Sequence, residues 1–182
     1  MSTYSVETLE RDGQVAPTIE LRDARPSDAP ALHTMMQSAA VIHGTMRLPY
    51  ARMDGILSRL EPERDRYQIV AVVDETVVGF AELLTTPDHP RHSHVGEVNL
   101  VFVHPDWQGR GVGRRLMNAM VDLGDNWLRI RRLELTVWDA NDTARSLYES
   151  CGFSIEGRFK DYVFTNGRYH DALKMARVVD TE

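Results

Sequence analysis

Val103-His104-Pro105-Asp106-Trp107-Gln108-Gly109-Arg110-Gly111-Val112-Gly113 joins two patterns of opposite period. Upstream, Val95 to Val103 reads as a strand, which His104-Pro105-Asp106-Trp107 breaks. Downstream, Leu116, Met117, Met120, Val121, Leu123, Trp127 and Leu128 fall on one face of a helix that the glycines open. Glycines let successive backbone N–H groups converge on one point, and a helix start adds partial positive charge there. Arg110, Arg114 and Arg115 add mobile positive charge. The stretch reads as a cradle for a pyrophosphate-bearing ligand, or as a glycine-rich turn with solvated arginines. Two other phosphate loops are excluded. A Walker loop needs Gly-Lys-Ser/Thr, and no lysine follows these glycines. A dinucleotide fingerprint counted from Gly111 puts Leu116 where its last glycine belongs. Glu134 stands at the distance of that fingerprint's acid, but inside a strand pattern.

Outward from this stretch the chain reads as one α/β domain. Thr18 to Arg22 alternates as a short strand, and Ser27 or Asp28 can cap a helix through about Ala40. A second helix covers Met53 to Leu60, ahead of Pro62. Gln68–Val73 and Thr76–Leu84 flank Asp74-Glu75 as a hairpin, and Thr85 to His94 is a loop. Leu133 to Trp138 is a strand, Asn141 or Asp142 caps a helix ending near Cys151, and Gly152 stops it. Asn166-Gly167 joins two final strands. The order predicts a mixed sheet: an antiparallel front half, then strand–helix–strand–helix, then a hairpin. Residues 1–17 read as a loose tail and 18–180 as a single domain.

The 182 residues, 42% apolar and 26% charged, can bury one core without staples. A net charge of −6 argues against a nucleic-acid partner. With Cys151 alone, no intrachain disulfide is possible, which fits a reducing cytoplasm. Met1-Ser2-Thr3-Tyr4 does not start a signal peptide, and no apolar run is long enough for a membrane helix.

Val103-x-Pro105 followed by Gln108-x-x-Gly111-x-Gly113 resembles the GNAT superfamily signature. So does Asn141 through Phe153, where Asn141, Ala144, Leu147, Tyr148, Gly152 and Phe153 match N-x-x-A-x-x-L-Y-x-x-x-G-F. The resemblance covers roughly Ile19 to Val178. His92-Ser93-His94-Val95, Asp125 to Arg129, Glu134 to Val137, Asn166-Gly167, Asp171, Ala172 and Met175 to Val178 are similar to bacterial L-amino-acid N-acetyltransferases of the YhhY type. This implies a GNAT fold, with a mixed sheet of about seven strands and about four flanking helices. It also implies acetyl transfer from acetyl-CoA to a small-molecule amine and, with the tryptophan content, suggests a homodimer.

The resemblance further implies that acetyl-CoA lies along the strand ending at Val103. Backbone groups of Val101, Phe102 and Val103 would pair with the pantetheine arm, and an N–H near Val101 would face the oxyanion. Gln108, Gly109, Arg110, Gly111, Val112, Gly113 and Arg114 would hold the pyrophosphate, and Asn141 the pantetheine.

Acetyl transfer needs a neutral amine, a stabilised oxyanion and a proton for the departing thiolate. Tyr148, two turns beyond Asn141, can donate that proton, or simply pack under the sheet. Glu97 can drain the amine's proton through a water, or be an exposed strand carboxylate. If the acceptor is a free amino acid, Arg47 or His94 can hold its carboxylate, with Met46, Leu48 and Tyr50 as an apolar slot. Arg47 can equally be solvated. His89, His92 and His94 read as a polar loop, with no metal expected, and Asp139 as a loop residue before the cap. Trp107, Trp127 and Trp138 read as core or interface residues. Rival readings are a polyamine, protein-N-terminal or drug acetyltransferase, and a catalytically silent acyl-CoA-binding module.

Overall fold

Alternating apolar residues build a seven-stranded sheet in the computed structural model, which describes residues 17–179. The tail expected over 1–17 lies outside the described residues apart from Pro17, and so does residue 180. The strands are β1 (Glu20–Asp23), β2 (Arg66–Val73), β3 (Thr76–Thr85), β4 (Val95–Val103), β5 (Arg132–Trp138), β6 (Ser154–Thr165) and β7 (Arg168–Val178). They stand in the order β1-β2-β3-β4-β5-β7-β6. Only β4 and β5 pair in parallel, which makes the sheet mixed as expected. Asp74 and Glu75 at the β2–β3 turn have φ of 46° and 62°. Asn166 and Gly167 at the β6–β7 turn have 50° and 75°. Two central residues at positive φ make a tight turn whose twist matches the flanking strands.

Among the described residues five α-helices form, where about four were expected: α1 (Ala29–Met36), α2 (Ala39–Gly44), α3 (Met53–Arg59), α4 (Val112–Asp122) and α5 (Asp142–Ser150). The helix expected to run through Ala40 breaks at Gln37 and Ser38. Ser38 takes extended backbone, and its hydroxyl accepts from the Val41 N–H at 3.3 Å, capping α2 as a new start. A second correction concerns Trp127, expected on the buried face of the helix after the glycine loop. Past Asp122 the chain widens into a π turn over Leu123–Trp127, which shifts the angular phase. Trp127 is therefore 64% exposed, and its indole N–H donates to Asp122 Oδ2 at 3.3 Å.

The sheet is covered on both faces. On one, α4 buries Leu116, Met117 and Met120 fully against a cluster that includes Ala71, Ala81 and Leu83. On the other, Leu32, Met35 and Ile56 of α1 and α3 pack on Val70, Phe80, Leu100 and Phe102. Each of these large side chains removed from water contributes about 1.5–3 kcal/mol.

Two irregularities in β4 open the middle of this sheet. Glu82 pairs with Leu100 while Leu83 pairs with Val98, so Asn99 is an extra residue in a β-bulge. The bulge switches faces: Val98 belongs to the α4 cluster, Leu100 and Phe102 to the α1–α3 cluster. β4 and β5 pair only from Val95–Arg132 to Glu97–Glu134, and beyond that the two strands part.

Candidate active site

A cavity of about 660 Å³ opens where β4 and β5 part. Val101, Phe102 and Val103 line one wall, and Trp138, Asn141 and Tyr148 another. Gln108, Gly109, Gly111, Gly113 and Arg114 line its mouth. Gly109 and Gly111 have φ of 72° and 82°, and a Cβ on either would meet no atom within 4 Å. Their backbone thus faces open space in a conformation that side chains disfavour. Gly111 is the N-cap of α4 and offers no side-chain cap, so the first N–H groups of the helix remain unspent. The Gln108 side-chain amide donates to the Val103 carbonyl at 3.3 Å, tying the loop to β4. Val112 is 1% exposed and turns its side chain into the core, so it offers this mouth only backbone. Arg110 stacks over Trp107 at 5.1 Å and does not line the cavity. Arg110 and Arg114 form no ion pair with any described residue. The mouth is therefore electropositive, glycine-backed and open, and it fits a pyrophosphate.

Asn141 caps α5 by accepting from the Ala144 N–H at 3.1 Å. Its amide nitrogen points across the cavity, 3.8 Å from where a Cβ on Gly44 would lie. Tyr148 sits on the same helix, with its ring 6.2 Å from that of Phe153. Burial, with Cys151 adding to it, pushes its phenol up to about 12. The phenol therefore stays protonated at neutral pH, as a proton donor must. Trp138 stacks on His170 at 4.8 Å and meets His43 edge-on at 4.2 Å, while its buried indole N–H has no partner among the described residues.

A second cavity, of about 450 Å³, lies beside the β4 bulge. Arg47, Glu97, Asn99, Thr136, Tyr162 and Phe164 line it, and Thr45 lines both cavities. Arg47 carries a buried Nε without a partner among the described residues. Burial and the neighbouring Arg59 push its guanidinium below its ordinary value, against the pull of Glu82. It is a partly buried cation that no described carboxylate pairs. Glu97 likewise makes no ion pair with a described residue. Glu134, its neighbour on β5, is held below the usual carboxylate range. Burial works against this, but Lys174 at 2.8 Å and Arg132 at 3.0 Å outweigh it.

Other candidates fall elsewhere. His94 lines a separate hollow with Arg131, Arg132 and Val178, so it and Arg47 are not brought together. Leu48 and Tyr50 are 82% and 91% exposed, and of the expected apolar slot only Met46 lines the cavity. Val98, Tyr162, Val163 and Phe164 supply the apolar wall instead. His89 and His92 stand 5.7 Å apart by ring centroids on an exposed loop. Among the described residues no group of three His, Cys, Asp or Glu could hold a metal ion, and no helix is long and apolar enough to cross a membrane.

Glu82 escaped the sequence reading. It is fully buried and accepts from Asn99 Nδ2 at 2.5 Å, Arg59 Nη1 at 2.6 Å and Gln68 Nε2 at 2.7 Å. These bonds satisfy a carboxylate that would otherwise be costly to bury, and they pin the bulge that shapes both cavities. A charged residue in the apolar run Val77 to Leu84 was the available signal.

Residues 30–153 match the Acetyltransferase (GNAT) family. The chain is 37% identical over 160 residues to the L-amino acid N-acetyltransferase AaaT of Escherichia coli, covering 88% of this chain and 98% of that protein. It is 25% identical over 163 residues to the spermidine N(1)-acetyltransferase of the same organism, covering 88% and 86%. A solved structure of the spermidine N-acetyltransferase from Vibrio cholerae, in complex with CoA and spermine, superposes with a TM-score of 0.78. That match covers 88% of this chain and 95% of that one at 25% identity. By this family match and these likenesses, the chain belongs to the GNAT family of acetyl-CoA-dependent N-acetyltransferases.

Proposed function

We propose that the acceptor is the amino group of a free L-amino acid with an apolar side chain. The observation that carries this reading is Arg47, a partly buried cation whose buried Nε has no partner among the described residues, in a cavity walled by Val98, Tyr162, Val163 and Phe164. A free amino acid brings both a carboxylate for that cation and a side chain for that wall. A polyamine would ask for several carboxylates, and Glu97 is the single acid lining the cavity. The 37% identity to AaaT points the same way.

In this reading acetyl-CoA lies in the larger cavity. The free β4 edge at Val101, Phe102 and Val103 takes its pantetheine, with the amide of Asn141 facing it. The backbone N–H groups from Gly109 to Gly113, with Arg114, hold its pyrophosphate. A backbone N–H near Val101 steadies the developing oxyanion, and Tyr148 gives its proton to the departing thiolate. Glu97 takes the amine's proton through water. Glu97→Gln should depress kcat/KM near neutral pH and recover in part at high pH, where the amine is already neutral. Equal loss at every pH would assign Glu97 a structural role.

The substrate class is tested by comparing L-leucine, L-leucinamide and spermidine at matched concentration. The amide should lose about 10-fold or more of kcat/KM, since it forfeits charge-assisted bonds to Arg47. Spermidine outrunning leucine would end the amino-acid reading. Binding of acetyl-CoA with no turnover of any amine would favour a silent acyl-CoA module.

We also propose a homodimer. β6 is the last strand of the sheet and exposes Ile155, Phe159 and Phe164, the kind of edge an assembly covers. Light scattering at micromolar concentration should report twice the chain mass, and a monomer would refute it. The lone Cys151, free in the structure, supports a reducing compartment such as the cytoplasm.

A further inference from the structure

Two acidic residues with no part in the chemistry, Asp139 and Asp171, converge on Arg158. Arg158 meets Asp171 at 2.6 Å and Asp139 at 2.8 Å. Opposite Asp171, β6 carries a wide bulge. Phe159 pairs with Ala172 and Val163 with His170, so Lys160, Asp161 and Tyr162 face one residue. Asp161 takes φ of 52°, a left-handed conformation that costs a non-glycine residue energy. Among the described residues no further strand lies beyond β6 to hold this loop of backbone. The Asp171 carboxylate holds it instead, accepting from the Asp161 N–H at 2.9 Å. That backbone bond, with Arg158 adding to it, keeps Asp171 below the usual carboxylate range, so the clamp is charged at neutral pH. The residue that the bulge displaces is Tyr162. Its ring stacks on Phe159 at 5.1 Å, and it lines the smaller cavity together with Arg47.

We propose that Asp171, with Arg158 and Asp139, is a positioning device that locks the Lys160–Tyr162 bulge, so that the Tyr162 ring walls the acceptor cavity and sets which acceptors fit. This rests on the placement of the acceptor in the smaller cavity, and it does not depend on the acceptor being an amino acid. Bulges beside active sites commonly re-aim one side chain. Here the re-aiming is made conditional on an ion cluster outside the cavity.

The test is a double-mutant cycle on Tyr162→Ala and Asp171→Ala, read as acceptor KM, acetyl-CoA KM and kcat with L-leucine and spermidine as probes. Each single change should raise acceptor KM about 10-fold, the scale of one lost group in an apolar pocket, with the effect confined to the acceptor. The double variant should be no worse than Tyr162→Ala, because Asp171 acts only through that ring. Additive effects, a silent Asp171→Ala, or an equal rise in acetyl-CoA KM would overturn the proposal. If Asp171→Ala does not fold, Arg158→Gln at a 58% exposed side chain carries the same cycle. If Tyr162→Ala and Arg47→Ala are both silent on acceptor KM, the acceptor placement itself falls, and this proposal with it. A wild type that takes spermidine but not leucine overturns the amino-acid reading alone, and the cycle is then read with spermidine.

Discussion

Tyr148→Phe should lower kcat about 10²-fold or more while acetyl-CoA binds as tightly as before. The ring remains, so its packing near Phe153 and the cavity wall are kept. Among the described residues the hydroxyl makes no hydrogen bond, so its removal should cost little stability. The proton is what goes. A thiol with a pKa near 8.5 leaves poorly as a bare thiolate, and the phenol is a protonated donor among the residues that line the cavity. Because burial pushes the phenol up to about 12, it holds its proton across the whole working range. The wild-type rate should therefore show no alkaline fall centred on the ordinary tyrosine value of 10.0. Near-normal kcat in Tyr148→Phe would hand the role to water or another group.

Gly111→Val should weaken acetyl-CoA about 10- to 100-fold in a calorimetric titration. Gly111 has φ of 82°, and the space where its Cβ would stand is open. A Cβ there therefore meets no protein atom and would intrude where phosphate oxygens should lie. Losing one charge-assisted contact to a backbone N–H removes about 1.5–3 kcal/mol, which gives that range. The strained φ adds a stability cost of about 1–3 kcal/mol, visible as a lower Tm and separable from the affinity loss. Unchanged affinity would move the pyrophosphate away from this helix start. Together the two variants separate the halves of the larger cavity: Tyr148→Phe spares binding and stops chemistry, while Gly111→Val does the reverse.

Arg47 shows why the acceptor end differs. Its place in a loop after α2 says nothing of burial, and sequence left it between a carboxylate receptor and a solvated arginine. Its partial burial, with no ion pair to a described carboxylate, favours the receptor. Leu48 and Tyr50, one and three residues on, read as an apolar slot but stand in solvent. A loop has no period to say which side chains turn inward.

The sequence by itself determined what depends on neighbours along the chain. Both positive-φ hairpins, the glycine mouth opening α4, the Asn141 cap with Tyr148 two turns beyond, and the seven strands were all legible. Turn chemistry, capping and periodicity act over a few residues. Even here a local rule failed where two competed, as when the Ser38 cap cut a helix whose apolar period ran on, and when a π turn rotated Trp127 outward. Only the tertiary structure decided what depends on partners far apart in sequence. Asn99 becomes a bulge because β3 pairs out of step with β4, and Glu82 can be buried because Arg59, Gln68 and Asn99 reach it from three other elements. His94 and Arg47, joined as alternatives for one task, end in different hollows. The sheet parts after Glu97 and Glu134 because two parallel neighbours diverge, and no local pattern encodes the gap between them in which the chemistry is placed.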